Sequence, residues 1–241
     1  MGKQLETQRR GKGSPTFMAK HYGINSSYIS LRDISLDTLI RGQVTELIKE
    51  SGRSVPIAKV LFENGAVQQC VAPEGISIGQ RIEHGAEAKA EIGNILPLRN
   101  IPEGCPVFNI ERELGDGGKF VRSSGLYALV VSKDEKFASV KLPSNKLVNI
   151  PLSNRATVGC VASGERTDKP FMTAGAKYHF IASKGGRFWP MVRGVAKNAY
   201  THPFGGEQHH PGKSKSVSRH APPGRKVGAI ASRRTGRKKK N

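Results

Sequence analysis

Acidic side chains are scarce in this sequence and almost vanish toward one end: residues 185–241 hold one, Glu207, against 14 Lys and Arg. That leaves His202, His209 and His210 without the carboxylates a metal site or an acid–base pair would draw on, and a flexible Gly-Pro loop gives no rigid frame for either. Cysteine is limited to Cys70, Cys105 and Cys160. They form no C-x-x-C pair, which argues against a disulfide framework or a zinc ribbon, and their apolar neighbours point to burial. No apolar run approaches the ~20 residues that span a bilayer. No apolar targeting segment follows the basic N-terminal residues. The chain is read as soluble and cytoplasmic. A single tryptophan, Trp189, and sparse aromatics elsewhere make the cluster Phe188, Trp189, Tyr200 and Phe204 unusual.

What the sequence has in excess is positive charge, with 39 Lys+Arg against 19 Asp+Glu and a formal net charge of +20 over 241 residues. The charge is unevenly spread. Residues 1–36 carry 6 basic and 2 acidic side chains, residues 37–184 carry 19 and 16, and residues 185–241 carry 14 and 1. A near-neutral middle with basic ends is the footprint of a nucleic-acid partner. A membrane-binding arm would need an amphipathic helix, and the pattern contains none. In the C-terminal stretch Pro and Gly interrupt every apolar run, so it cannot build a core of its own. Its alternation of cations with aromatics suits a polyanion with exposed bases, phosphates meeting Lys and Arg while rings and guanidinium planes stack on bases. Near the other end, Gln8-Arg9-Arg10-Gly11-Lys12 and then Tyr22, Tyr28 and Arg32 read as a basic arm.

The middle divides into two series of short strands. The first covers residues 42–49, 56–62, 66–72, 78–82 and 93–97, with Glu63-Asn64-Gly65 as a hairpin turn. Five strands with tight turns in about 60 residues suggest a small Greek-key barrel of the OB-fold type. After Asn100-Ile101-Pro102-Glu103-Gly104, a second series at 107–111, 125–132, 137–142, 146–150 and 156–161 fits an SH3-like barrel. A short helix over 171–183 follows, stopped by Gly185. The fold class is therefore mainly β: a basic extension at 1–36, an OB-fold RNA-binding domain at 37–98, an SH3-like barrel domain with a short terminal helix at 99–184, and a basic extension at 185–241.

Gly115-Asp116-Gly117-Gly118-Lys119-Phe120 superficially looks like a phosphate loop, but the spacing fails and Phe120 stands where a hydroxyl is required. Nucleotide hydrolysis is excluded. The loop leads into Lys119 and Arg122, which have reach to phosphates; a plain hairpin loop fits the same residues equally well.

Six motifs occur in one order: Asn94-Ile95-Leu96-Pro97, residues 119–125, Asn154-Arg155-Ala156, Arg193-Gly194-Val195-Ala196, His202-Pro203-Phe204-Gly205-Gly206 and Gly224-Arg225-Lys226-Val227-Gly228. Together they resemble the universal large-subunit ribosomal protein two family in its archaeal and eukaryotic form, over nearly the whole chain. The resemblance implies a structural, non-enzymatic constituent of the large ribosomal subunit that binds large-subunit rRNA, supports subunit association and helps shape the peptidyl-transferase region. Implied partners are large-subunit rRNA, neighbouring ribosomal proteins and the small subunit at an intersubunit bridge, with no membrane. No cofactor or protein-held metal is implied; structural Mg2+ enters only through rRNA. The candidate rRNA contacts are Arg9, Arg10, Lys12, Lys119, Arg122, Arg155, Arg187, Trp189, Arg193, Lys197, His202, Lys213, Arg225, Lys226, Arg233 and Arg234. His202 matches the family histidine near the peptidyl-transferase site. Two departures stand out: Lys197-Asn198-Ala199 replaces the usual Met-Asn-Pro, and Thr201 stands where an acidic residue is common. A catalytic His202 and a generic single-strand binder are the rival readings. The first lacks a carboxylate and a nucleophile; the second would need aromatics on the barrel rather than in the arm.

Overall fold

Alternation along the middle of the chain resolves into ten strands in a computed structural model that describes residues 2–18, 24–31, 38–184, 188–206 and 210–236. The first set is β1 (Ile40–Ile48), β2 (Ile57–Phe62), β3 (Val67–Val71), β4 (Arg81–His84) and β5 (Ile95–Pro97). The second is β6 (Pro106–Phe108), β7 (Ala128–Lys133), β8 (Phe137–Lys141), β9 (Leu147–Pro151) and β10 (Arg155–Val158). In the first set β1 pairs antiparallel with both β2 and β4 and β5 adds parallel to β4; in the second, β6 pairs antiparallel with both β7 and β10. This is the OB-fold followed by the SH3-like barrel. The two sets join where β10 also pairs with β5, giving the order β3-β2-β1-β4-β5-β10-β6-β7-β8-β9.

The side chains explain the pairing. Val44, Val60, Phe62 and Ile82 pack inside the first set, and Leu96, Val107, Ile110, Val130, Val140, Ile150 and Val158 inside the second. Each fully buried aliphatic side chain contributes roughly 1.5–3 kcal/mol. At the expected hairpin, Ala66 N–H bonds the Asn64 side chain and Gly65 has a φ of 78°, a conformation that favours glycine. One strand is displaced from its expected place. Ile78, expected to open a strand, is 63% exposed; Gly79 donates to Val44 O in a turn instead, and β4 starts only at Arg81.

The chain forms two units, one of His21–Met172 and one of Met1–Lys20 with Thr173–Asn241. This regroups the expected segments. Residues 24–31, placed by sequence in the N-terminal extension, belong to the β unit, where Ser26 and Tyr28 are buried. The expected helix is present as α2 (Ala174–Ser183), capped by Thr173 through Ala176 N–H, but it belongs with the terminal arms rather than with the second barrel. In that same unit a short helix, α1 (Glu6–Gly11), and a small parallel pair, β11 (Ser216–Val217) and β12 (Ala229–Ile230), were not legible in the sequence.

Candidate nucleic-acid interface

Regrouping by unit sharpens the charge distribution. The β unit has 18 Lys and Arg against 17 acids, net +1, whereas the arm unit has 21 against 2, net +19. Of those two acids, Glu207 lies outside the described residues. The other, Glu6, is held by Arg10 at 3.2 Å and by Lys197 at 3.2 Å. The arm unit thus holds many more cations than its described carboxylate can balance. Arg9, Lys12, Arg193, Lys213, Arg225, Lys226, Arg233 and Arg234 are all exposed.

The other candidates are placed differently. Arg10 is half-buried and donates to Phe188 O. Trp189 is half-buried with Lys177 Nζ 5.3 Å from its ring centroid. Lys119 is exposed on the β unit. Arg187 lies outside the described residues, as do Tyr22, Arg32, His209 and residues 237–241.

Arg155 requires a correction. The sequence suggested an RNA contact, but its side chain is 1% exposed. Its Nε and Nη2 donate to Glu111 Oε1 at 3.1 and 2.6 Å, and its Nη1 to Ile29 O at 2.8 Å. Its guanidinium also lies 5.1 Å over the Tyr28 ring. A guanidinium so enclosed is out of reach of a phosphate, and the pair organises the core instead. Arg122 is half-buried and similarly engaged: it donates to Gly118 O and to Ser26 O, and pairs with the Ser26 hydroxyl. Burial, then Arg53 close by, lowers its pKa. Its role is to fasten residues 24–31.

The glycine-rich loop has the same task. Asp116 accepts from the N–H groups of Arg112, Glu113 and Gly118, and Glu111 accepts from Gly117. The backbone donors that would cradle a phosphate are thus spent on the protein's own carboxylates. Tyr28 N–H bonds Gly117 O at 3.1 Å, and a Cβ on Gly117 would stand 2.6 Å from Ser27 Cβ. Glycine here lets residues 27–28 lie against the loop. Cys70 is buried, as expected, its thiol raised to about 12 by burial; Cys105 and Cys160 are only half-buried.

His202 sits in a tight local frame. Its Nδ1 accepts the N–H of Phe204 at 3.0 Å, and its ring lies tilted against Phe204 with centroids 5.3 Å apart. A Cβ on Gly194 would fall on the imidazole. Partial burial, followed by Lys197, lowers its pKa, which favours the neutral ring. With the Nδ1 lone pair engaged, neutral imidazole carries its proton on Nε2 and presents a donor. That geometry provides no free lone pair for a general base. Gly205 is confined by the chain itself, since its Cβ would meet the carbonyls of Lys197 and Asn198. Lys3 N–H reaches Tyr200 O at 2.8 Å, so the two ends of the chain together build the surroundings of this histidine. Nothing in the sequence pattern announced that meeting.

Comparison with known proteins extends these observations. A family model described as the C-terminal domain of ribosomal proteins L2 matches residues 91–226. The chain is 48% identical over 238 residues to the large ribosomal subunit protein uL2 of Natronomonas pharaonis, covering 98% of this chain and 97% of that one. It is 48% identical over 237 residues to the protein of that name from Methanocella arvoryzae, covering 98% and 99%. With the one from Methanococcus maripaludis the identity is 50% over 241 residues, covering 99% and 100%.

Proposed function

The chain belongs to the uL2 family of large-ribosomal-subunit proteins, and from that premise we propose that it is a structural constituent of the large subunit that binds large-subunit rRNA in the cytoplasmic ribosome. The observation that carries this reading is the arm unit of net +19, whose one described carboxylate is already paired. Burying such a unit in folded RNA releases condensed counterions and replaces the missing acids with phosphates. Arg9, Lys12, Arg193, Lys213, Arg225, Lys226, Arg233 and Arg234 take that role. The two barrels, with their division near residue 98, dock through loops such as the one bearing Lys119. Neighbouring ribosomal proteins and an intersubunit bridge to the small subunit complete the proposed partners.

The protein supports peptidyl transfer by shaping RNA, with no chemistry or cofactor of its own. His202 acts as an Nε2–H donor to RNA near the peptidyl-transferase region, a role supported by the bond that occupies its Nδ1. Any structural Mg2+ belongs to the RNA. Crosslinking in intact cells, with the attached RNA identified, tests the whole reading. Large-subunit rRNA attached through peptides of the arm unit is expected. Crosslinks spread over messenger RNA, or confined to the β unit, would refute it.

A further inference from the structure

Among the described residues of the arm unit, the buried apolar side chains are Leu5 and Phe204, one from each end of the chain. So little apolar burial leaves the shape of the unit to polar contacts, and many of these gather on residues 194–206. Lys197 is their node. Its N–H donates to Gly194 O at 3.2 Å, and its carbonyl accepts the N–H of Gly206 at 3.2 Å. Gly194 is the position where a Cβ would fall on the His202 ring. The N–H of His202 in turn reaches the neighbouring carbonyl, that of Asn198, at 3.2 Å. The backbone that encloses the imidazole therefore passes through Lys197.

The Lys197 side chain meets the other end of the chain. Its Nζ lies 3.2 Å from Glu6 Oε2, with the two side chains 22% and 19% exposed. A second tie lies three residues along. Lys3 N–H donates to Tyr200 O at 2.8 Å, and Lys3 Nζ stands 5.3 Å from the centre of the Tyr200 ring. A Cβ on Gly2 would come within 3.1 Å of the same carbonyl, so the N-terminal backbone runs close along this turn. Glu6 also meets Arg10, at 3.2 Å. A carboxylate repels the phosphates that such a unit collects. Its place here makes sense where it fixes a cation of the protein.

We propose that Glu6 is a positioning residue for His202, acting through Lys197 to hold the loop that aims the Nε2–H at RNA, with Lys3 as the second tie at Tyr200. The proposal rests on the RNA-contacting reading of His202 given above. It gives Lys197 a task different from that of the exposed cations: they meet phosphates, and it joins the two ends of the chain.

Reconstituted large subunits probed by 2′-hydroxyl acylation test it. Nucleotides whose reactivity changes with His202→Gln define the contact of the histidine. Glu6→Gln and Lys197→Met should each change those same nucleotides. The combined variant should do no more than Lys197→Met alone, as expected of two residues acting as one pair. Lys197→Arg, which keeps the charge and the reach, should match the wild type. In the free full-length protein with 15N-labelled imidazoles, His202 should show a protonated Nε2 and a bare Nδ1. Glu6→Gln and Lys197→Met should each shift its tautomer ratio roughly 2- to 5-fold, the worth of one partly exposed ion pair, and Lys197→Arg should not. A wild-type pattern at those nucleotides in Glu6→Gln subunits would overturn the proposal. Additive effects of the two substitutions, or an unmoved His202 spectrum, would overturn it as well. If His202→Gln itself alters no nucleotide, the RNA contact of the histidine fails first and the proposal falls with it.

Discussion

Replacing Glu111 with Gln should destabilise the β unit severely while leaving the RNA-facing charges untouched. The carboxylate accepts four N–H groups: Arg155 Nε and Nη2 and Gly117 N on Oε1, and Arg155 N on Oε2. Both side chains are at most 1% exposed, so the guanidinium would keep its charge and lose its counter-ion with no water to take over. Breaking a buried pair on one side costs roughly 3–5 kcal/mol, a large part of the ~5–15 kcal/mol that holds a typical domain. With a urea dependence of about 2 kcal/mol per M, the midpoint should fall by about 2 M. Tryptophan fluorescence is the wrong probe, because Trp189 lies in the arm unit; far-UV circular dichroism or amide exchange along β10 reports the right transition. Arg155→Met should cost a similar amount, while the pair Glu111→Leu with Arg155→Met should recover much of the loss. The reasoning fails if Glu111→Gln shifts stability by less than about 1 kcal/mol. It also fails if Arg155→Met weakens RNA binding with the denaturation midpoint unchanged.

Burial, with a smaller contribution from Arg155, pulls the His84 pKa down to about 3, against ~6.5 in an unfolded chain. Between those values the unfolded state binds the proton and the folded state does not. The stabilisation is thus complete above pH 6.5 and is lost as pH falls toward 3, at up to about 1.4 kcal/mol per unit. Unfolding free energies at pH 7.5 and 5.0 should differ by about 2 kcal/mol from this group, and His84→Gln should remove that difference. Exchanging Arg225, Lys226, Arg233 and Arg234 for Gln should flatten the log–log salt dependence of RNA binding by about 3 units at most, at roughly 0.7 per phosphate contact; an unchanged slope would mean that these charges stay solvated. Reconstituted large subunits with His202→Gln should retain near-normal single-turnover peptidyl transfer, whereas a general base would cost ~10²–10⁴-fold. Gly194→Val should instead disturb assembly, because its side chain takes the place of the imidazole.

Strand positions were readable because alternation and turn chemistry are local. Val44 between Gln43 and Thr45, or Asn64-Gly65 between two apolar runs, needs no knowledge of the rest of the chain. Arg155 was misread because its meaning depends on Glu111, 44 residues away. One signal was present: each of the pair adjoins an apolar strand segment, Val107-Phe108-Asn109-Ile110 and Ala156-Thr157-Val158. A cation flush with such a run belongs to a core as readily as to a surface. The role of the glycine-rich loop stayed open in the sequence, since loops that approach phosphate and loops that admit another stretch of backbone share a composition. At the site itself, the histidine and the cations were legible from motif and charge. The joining of both chain ends was not, because neither end carries a strong periodic pattern.

That joining bears on when the protein becomes whole. Glu6 and Lys197 are 191 residues apart, and chains lengthen at about 5–20 residues per second. Roughly 10–40 seconds pass between the appearance of the first partner and the second. During that interval the β unit can complete its pairing, because every strand it needs lies between them. The larger share of the cations emerges only after the neutral part of the molecule has been made. The order of synthesis thereby keeps most of the polycation away from nascent and messenger RNA until a folded body exists to carry it, and the C-terminal arm meets its N-terminal counterpart last.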